Sequence, residues 1–251
     1  MTGFGGREDA FGRMLWDCTL GRQACMIVER DDGFIDFSLG GAAYLAPYED
    51  WPARQKRAIR FARGRVLDVG CGGGRVALYL QQQGHDVLGV DNSPLSIKIC
   101  RMRGLRKARV MSITEVSRKL GVFDTIVMYG DNFGLFGSRC RAKWLLRRFH
   151  GMTSPGARII AESNDPYQTS SVEHRQYHRF NRRRGRMPGQ LRFRIRYRKW
   201  ATPYFDYLLV SKDEMKDILR GTGWKVACFI DGKSSMYIAD IDKKRNEGGR
   251  R

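Results

Sequence analysis

The stretch VLDVGCGGG at residues 66–74 decides the fold. Residues 66–69, apolar except for Asp68, have the character of a buried strand, and residues 75–83 after the glycines have the spacing of a helix. Glycine permits a sharp turn and lets a ligand approach the backbone, because it has no Cβ. In an open α/β sheet, a turn of this kind lies at the crevice where nucleotide-like ligands bind. The stretch therefore predicts an α/β fold with a ligand site at the end of this strand.

The pattern of strand and helix continues along the chain. Further strands are predicted at 86–90, 108–111, 123–129 and 157–161, and helices at 47–63, 93–103 and 138–149. Strands that alternate with helices indicate a parallel sheet with helices on both faces. After residue 205 the order changes to a strand at 205–210, a helix at 211–219, and a hairpin of strands 224–230 and 235–241. The segment 31–37 is a short extended piece or a loop.

An acid follows the second predicted strand. Asp91 comes 17 residues after Gly74, where a carboxylate can accept hydrogen bonds from two ribose hydroxyls. A dinucleotide site needs a third glycine at position 75, which is Arg75 here, and holds a pyrophosphate that Asp68 would repel. S-adenosylmethionine carries an ammonium, a sulfonium and no phosphate. The loop therefore favours S-adenosylmethionine over a dinucleotide.

Three stretches resemble the class I S-adenosylmethionine-dependent methyltransferase superfamily. DVGCGGG at 68–74 resembles its first motif, GVDNS at 89–93 its ribose-binding motif, and TSPGA at 153–157 the turn before its fifth strand. The resemblance covers roughly residues 45–241. It implies a Rossmann-like, mostly parallel seven-stranded sheet with an antiparallel last strand. It also implies a methyltransferase whose cofactor is S-adenosyl-L-methionine.

The resemblance further implies a set of cofactor-binding residues. They are Asp68, Gly70, Cys71, Gly72 and Gly74 in the loop, Asp91 and Asn92 after the second strand, Ser112 and Ile113 after the third, and Tyr129 after the fourth. The superfamily often has an acid after strand three that meets the adenine amino group. This chain has Met111-Ser112-Ile113 there, so we expect a backbone group or Ser112 to take that role.

Few residues are expected to take part in the chemistry itself. A sulfonium donor is already activated, so the protein mainly aligns the acceptor, and a base is needed only if the acceptor loses a proton. In this superfamily the acceptor meets the methyl group near the end of strand four, so Asp131 and Asn132 are the candidate catalytic residues. The alternative is that they cap the next turn. Tyr44 is a candidate substrate contact that ordinary packing explains equally well.

Other motifs are weaker. Asn164-Asp165-Pro166-Tyr167 is superficially similar to the motif of amine methyltransferases, but it follows strand five, and an Asp-Pro turn explains it better. His174 and His178 share a face if their segment is helical, and we interpret them as a surface pair rather than metal ligands. The six cysteines form no CxxC and no zinc spacing, so we predict free thiols and no metal.

The charge balance is strongly basic. Lys and Arg number 46 against 26 Asp and Glu, a formal charge of +20, which attracts polyanions. Residues 174–205 contain no acid, and LRFRIRYR at 191–198 predicts a strand with one apolar and one arginine face that pairs with 204–210 as a lid. Three interpretations of the arginine face remain: it binds nucleic-acid phosphates, it binds a small anionic acceptor through Arg194 and Arg196, or it is a solvated outer face.

The predicted organisation is an N-terminal cap segment (1–46), a methyltransferase domain (47–241) with a lid insertion at about 168–210, and a disordered basic tail (242–251). No apolar run approaches the ~20 residues of a membrane span, and no signal peptide is evident, so we expect a cytoplasmic protein. The leading hypothesis is in-line methyl transfer to a small or medium-sized, conceivably anionic, acceptor. The alternatives are an RNA or DNA methyltransferase that uses the basic insertion, and a non-catalytic S-adenosylmethionine-binding protein. The oligomeric state is left open.

Overall fold

The computed structural model describes residues 8–38, 40–232 and 234–244. In chain order the helices and strands are α1 (Ala10–Thr19), β1 (Met26–Arg30), β2 (Ile35–Ser38), α2 (Ala53–Ile59), β3 (Arg65–Val69), α3 (Arg75–Gln82), β4 (Asp86–Asp91), α4 (Pro94–Met102), β5 (Ala108–Val110), β6 (Phe123–Met128), α5 (Arg139–His150), β7 (Thr153–Asn164), α6 (Val172–Arg183), β8 (Gln190–Tyr197), β9 (Trp200–Ala201), β10 (Phe205–Leu208), α7 (Lys212–Leu219), β11 (Trp224–Asp231) and β12 (Met236–Lys243). Four short 3₁₀ turns lie at Ala42–Tyr44, Tyr48–Asp50, Arg118–Leu120 and Asn132–Phe136.

The larger sheet has seven strands in the order β11-β12-β7-β6-β3-β4-β5. Strands β3 to β7 are parallel to their neighbours among themselves, and β12 is antiparallel to both β7 and β11. This confirms the predicted Rossmann-like sheet with its antiparallel last strand. Two apolar clusters of buried residues cover the two faces of the sheet, as expected for strands that are hydrophobic on both sides.

Local sequence explains where the helices begin. The Ser93 hydroxyl accepts from the backbone of Ser96, and Pro94 occupies the first turn of α4. Ser211 and Glu214 form the predicted capping box at the start of α7. Both signals lie within four residues of the helix start, which is why the sequence alone shows them.

A second, smaller sheet has the path β10-β8-β1-β2, with β9 paired to β8. Strand β8 pairs with β10, as predicted for the insertion, with Phe193 opposite Phe205. The pairing of β8 with β1 was not predicted and joins the N-terminal segment to the insertion. The cap segment and the lid insertion are therefore parts of one sheet, with α1 packed against α4 and β8.

Several predicted boundaries were wrong. The helix predicted at 47–63 is a 3₁₀ turn followed by α2, because Pro52 keeps Trp51 in an extended conformation. The fifth strand of the predicted core extends well beyond 157–161, since β12 pairs along most of its length. Strand β12 continues to Lys243, inside the predicted tail, because Asp242 still pairs with Arg158. Residues 245–251 lie outside the described residues.

No helix in the described ranges is both long and apolar enough to cross a bilayer.

Candidate functional site

A cavity of about 1780 Å³ lies at the carboxyl-terminal ends of the parallel strands. Its floor is formed by the ends of β3, β4 and β6, where the chain passes through Val69, Asp91 and Tyr129. Its walls come from the N-terminal segment and from β8 and β10. From β3 the chain proceeds to β4 and β5 on one side of the sheet and then to β6 and β7 on the other, so the strand order reverses between β3 and β6. Ligands of open α/β sheets bind at this point, outside the carboxyl ends of the strands.

The glycine loop after β3 needs its glycines for two different reasons. Gly70 has φ +72°, and a Cβ on it would lie 2.6 Å from the side-chain nitrogen of Asn132. Gly72 has φ +52°, and a Cβ on it would point into the cavity, where its nearest neighbour is Phe11 at 3.8 Å. Gly72 therefore leaves an open cradle of bare backbone beside the cavity.

Asp68 lies beneath this cradle. It is 2% exposed, and its Oδ2 has no hydrogen-bond partner among the described residues. Burial raises the pKa of Asp68 to about 7, against the opposing effect of the Arg75 charge. A buried acceptor without a donor is costly, so this carboxyl fits a cationic donor group supplied from the cavity, such as an ammonium.

Asp91 ends β4 at the other side of the loop. Its Oδ2 accepts from the backbone nitrogen of Gly72 at 2.9 Å, and its Oδ1 accepts from that of Ser93 at 2.9 Å. Burial raises the pKa of Asp91 to about 6, although these two hydrogen bonds act in the opposite direction. Each oxygen keeps a lone pair for a further donor, so the carboxylate can hold two adjacent hydroxyls.

The structure brings most of the other predicted cofactor residues to the cavity. Cys71, Asn92, Ser112, Ile113 and Tyr129 all line it. The Ser112 hydroxyl already forms a hydrogen bond with the Thr114 hydroxyl, so part of its hydrogen-bonding capacity is used within the protein. Gly74 does not line the cavity: a Cβ on it would meet the Cys100 sulfur at 2.9 Å, so this glycine serves packing beneath the loop.

Asp131 is in an unusual conformation for a residue with a side chain. Its φ is +66°, and its Oδ1 is buried with no hydrogen-bond partner among the described residues. Burial and the nearby Glu162 raise the pKa of Asp131 well above its ordinary value. The Tyr207 hydroxyl donates to the Asp131 carbonyl oxygen at 2.7 Å. Strain of this kind persists only where the surrounding structure imposes it, and it is frequent at active sites.

Asn132 has a different placement from Asp131. Its side-chain nitrogen donates to the carbonyl oxygens of Val69 at 3.0 Å and of Gly70 at 2.8 Å. The amide therefore holds the glycine loop in position. It lines the cavity as well, but its hydrogen bonds are those of a positioning residue.

Glu162, which the sequence analysis missed, is a fully buried acid at the end of β7. Arg54 lies 2.8 Å from its Oε1, and Gln55 and the Gly130 backbone donate to its Oε2 at 2.7 and 2.8 Å. This network ties α2 to the turn that carries Asp131. An acid inside the apolar strand sequence ARIIAES was the signal that could have identified it.

The acceptor side of the cavity is mainly aromatic. Phe193 contacts both Phe205 and Tyr207, with ring centroids 4.6 and 5.4 Å apart, and all three rings line the cavity. Tyr44 lines it from the N-terminal segment, and its ring contacts Phe11 edge-on at 5.1 Å. Burial raises the pKa of Tyr44, with a further contribution from Asp131. The phenol of Tyr44 therefore remains protonated beside that carboxyl.

The structure does not bring Arg194 and Arg196 to the cavity. They alternate with Phe193 and Ile195, which do line it, so they lie on the other face of β8. Both bind Glu29 of β1, at 2.8 and 2.9 Å. The arginine face is thus partly neutralised within its own sheet.

The predicted weak motifs also have structural explanations. The Asp165 carboxylate accepts from the backbone of Tyr167 at 3.0 Å, which is the turn expected of Asp-Pro. His174 and His178 share α6, but His178 is buried against Tyr167, so the interpretation as a surface pair was wrong for it. The described ranges contain no group of three or more His, Cys, Asp or Glu placed to hold a metal ion.

Comparison with known proteins agrees with this geometry. A family model described as a methyltransferase domain matches residues 66–156. The chain also superposes on an S-adenosylmethionine-dependent methyltransferase from Bacteroides fragilis, in complex with S-adenosyl-L-homocysteine, with a TM-score of 0.81, 23% identity and coverage of 96% and 97% of the two chains. Residues 66–156, which include strands β4 to β6 and the glycine loop, therefore match a methyltransferase domain.

Curated relatives match this chain over a limited length. The ubiquinone biosynthesis O-methyltransferase of Bordetella avium is 38% identical over 68 residues, which are 25% of this chain and 28% of that protein. The protein of the same name from Xylella fastidiosa is 43% identical over 76 residues, 28% of this chain and 31% of that protein. The matches thus cover less than a third of these relatives.

Proposed function

We propose that this chain transfers a methyl group from S-adenosyl-L-methionine to a small acceptor held inside the cavity. The observation that carries the proposal is Asp68, whose buried Oδ2 faces the glycine loop without a partner in the described chain. Asp68 would accept from the ammonium group of the donor, Asp91 would accept from its ribose hydroxyls, and Gly72 would leave room for its approach. When bound, the donor supplies an activated methyl group.

The acceptor class follows from the wall opposite the loop. Phe193, Phe205 and Tyr207 offer aromatic surface, and the cavity volume of about 1780 Å³ is large enough for a donor and a small molecule together. The superfamily relatives from Bordetella avium and Xylella fastidiosa are named as O-methyltransferases of ubiquinone biosynthesis, which also supports a small-molecule acceptor. Arg194 and Arg196 lie on the outer face of β8 and both pair with Glu29, which argues against their use in holding an acceptor inside the cavity.

We further propose that Asp131 takes the proton of the acceptor. Asp131 lines the cavity after the end of β6, its buried Oδ1 has no partner among the described residues, and its carbonyl oxygen accepts from Tyr207. A carboxyl whose pKa is raised by burial is a strong base once it is ionised. Tyr44 remains a protonated phenol nearby and can donate to the acceptor oxygen or nitrogen while Asp131 accepts.

The first test is calorimetric titration with S-adenosylmethionine and its demethylated product. We expect wild type to bind both and Asp91→Ala to lose about 100-fold or more in affinity, because two charge-assisted hydrogen bonds disappear. Incubation with methyl-labelled donor and fractionated cell extract then asks which fraction gains label. Label in a small-molecule fraction supports the proposal; label in RNA overturns the acceptor class; donor binding without label in any fraction overturns the activity.

A further inference from the structure

A second cleft lies at the opposite edge of the larger sheet. Its volume is about 1120 Å³, and it is formed where β3 and β7 begin and β12 ends. It is lined by Arg63, Arg147, His150, Pro155, Gly156, Arg158, Gly221, Thr222, Gly223, Lys225, Asp242, Lys243 and Lys244. The length of β3, at about 3.3 Å per residue, separates this basic cleft from the methyl-transfer cavity by roughly 16 Å.

The basic cleft carries far more positive than negative charge. Six Lys and Arg side chains line it, against the single acid Asp242. Among the described residues, Arg158 alone of the six has carboxylate partners, Asp240 and Asp242. Within the described ranges Arg63 forms no ion pair, although its charge acts at longer range on Asp124 and Asp240. On most protein surfaces acids are interspersed with bases, so five cations without an ion pair among the described residues, gathered in one concavity, indicate an anionic ligand.

Several of these cations are held in place without being neutralised. The Arg63 guanidinium donates to the carbonyl oxygen of Gly156, and that of Arg147 donates to Gly221 at 3.3 Å. The Lys243 ammonium donates to the carbonyl oxygens of His150 and Thr153, each at 2.7 Å. Backbone carbonyls fix a charged head group but leave its full charge, so these groups are oriented before a ligand arrives.

The walls of the basic cleft expose bare backbone. Gly221 has φ +74°, and a Cβ there would meet no atom within 4 Å. At Gly156 a Cβ would meet nothing nearer than the Arg63 side chain at 3.5 Å. Open glycines let an anion approach the main chain closely, as they do in other phosphate sites.

The surroundings of the basic cleft change the pKa of His150. Burial, and then the charge of Lys243, lower the pKa of His150. The imidazole is therefore neutral at pH 7 and remains available as a hydrogen-bond partner. Burial also lowers the pKa of Lys243.

We propose that the basic cleft binds phosphate groups, as a site separate from the methyl-transfer cavity. Two sources present that chemistry: the backbone of RNA and a free nucleotide. In either case Lys225 and Lys244 provide the accessible charges, because both are exposed and neither has a side-chain ion pair within the described chain. The proposal does not depend on the proposed transfer activity.

The test compares wild type with the double variant Lys225→Gln, Lys244→Gln in binding to a fluorescent oligouridine and to ATP. If RNA binds in the cleft, we expect the double variant to bind it about tenfold more weakly at low salt. We also expect the slope of log affinity against log salt to become shallower by about 1.4, at ~0.7 for each phosphate contact on a single strand. If ATP binds through the same lysines and RNA does not, the phosphate site stands and its source is a nucleotide.

The matched control is Arg179→Gln with Arg183→Gln, which removes the same charge from the exposed face of α6. It should retain wild-type affinity and salt slope. Donor binding in the methyl-transfer cavity should be unchanged in both double variants, which shows that they are folded. The proposal is overturned if neither ligand binds wild type, or if the cleft variant and the control lose affinity equally.

Discussion

The donor side and the acceptor side of the methyl-transfer cavity are built in opposite ways. On the donor side, the glycine loop and Asp91 lie within a single β-α-β stretch, residues 65–91. On the acceptor side, the decisive contacts join residues far apart in the chain: Arg54 with Glu162, and Asp131 with Tyr207 of the smaller sheet. The comparison teaches that the donor site is a local property of the sequence, whereas the acceptor wall exists only once both sheets have formed.

The largest expected effect tests the local character of the donor side. Gly72→Val should abolish donor binding, because the side chain enters the cradle and a β-branched residue is strained at φ +52°. Gly84→Val is the matched control: Gly84 has φ +90° at the end of α3, and a Cβ there would meet no atom within 4 Å. Calorimetry on both variants separates backbone strain from occupation of the site; equal losses would place the donor elsewhere.

A smaller effect is expected for Asp131, which lies between the donor side and the acceptor side of the methyl-transfer cavity. Asp131→Asn should lower kcat by about 100-fold or more while leaving donor affinity unchanged, because it removes the proton acceptor and keeps the shape. In wild type, kcat should rise with pH until Asp131 is ionised, since burial raises its pKa. The variant should lack that rise. A wild-type pH profile in Asp131→Asn would show that this carboxyl takes no part in proton transfer.

Asp68→Asn should have two effects of opposite sign. Donor affinity should fall by about tenfold or more, because a charge-assisted hydrogen bond is lost. The ligand-free protein should melt about 2 °C or more higher at pH 8. Burial raises the folded pKa of Asp68 to about 7 from 3.8, so the carboxyl ionises more readily in the unfolded chain than in the folded one. Asp68 therefore destabilises the fold increasingly as pH rises between these two values. The increase in melting temperature caused by Asp68→Asn should therefore be smaller at pH 5 than at pH 8, and thermal melts at the two pH values test this.

The smallest effect tests the small sheet away from the cavity. Hydrogen bonds from Arg194 and Tyr204 lower the pKa of Glu29 to about 2. This contribution to stability is present above the ordinary pKa of 4.5 and is lost as pH falls towards 2. Glu29→Gln should lower stability by about 1 kcal/mol at pH 7, with unchanged kcat. A large fall in kcat would mean that the outer arginine face contributes to turnover after all.

The sequence predicted the donor side well because its signals are short-range. The order of β3 to β7, the caps at Ser93 and Ser211, and the placement of Asp68 and Asp91 all follow from residues a few positions apart. The sequence did not predict α1, β1 or the buried Glu162, since their roles depend on partners more than a hundred residues away. It also did not indicate which face of β8 meets the cavity, because alternation gives two faces without saying which one is covered.

The antiparallel pairing of β1 with β8 has a consequence for how the protein could be shortened. A fragment that begins at residue 47 would retain the whole larger sheet and the glycine loop, yet β8 would lose its pairing partner from Ile27 to Arg30. The exposed edge would carry unpaired amides beside the apolar side chains of Phe193 and Ile195, which is a template for aggregation. The unit that folds cooperatively is therefore larger than the part of the chain that sequence similarity delimits.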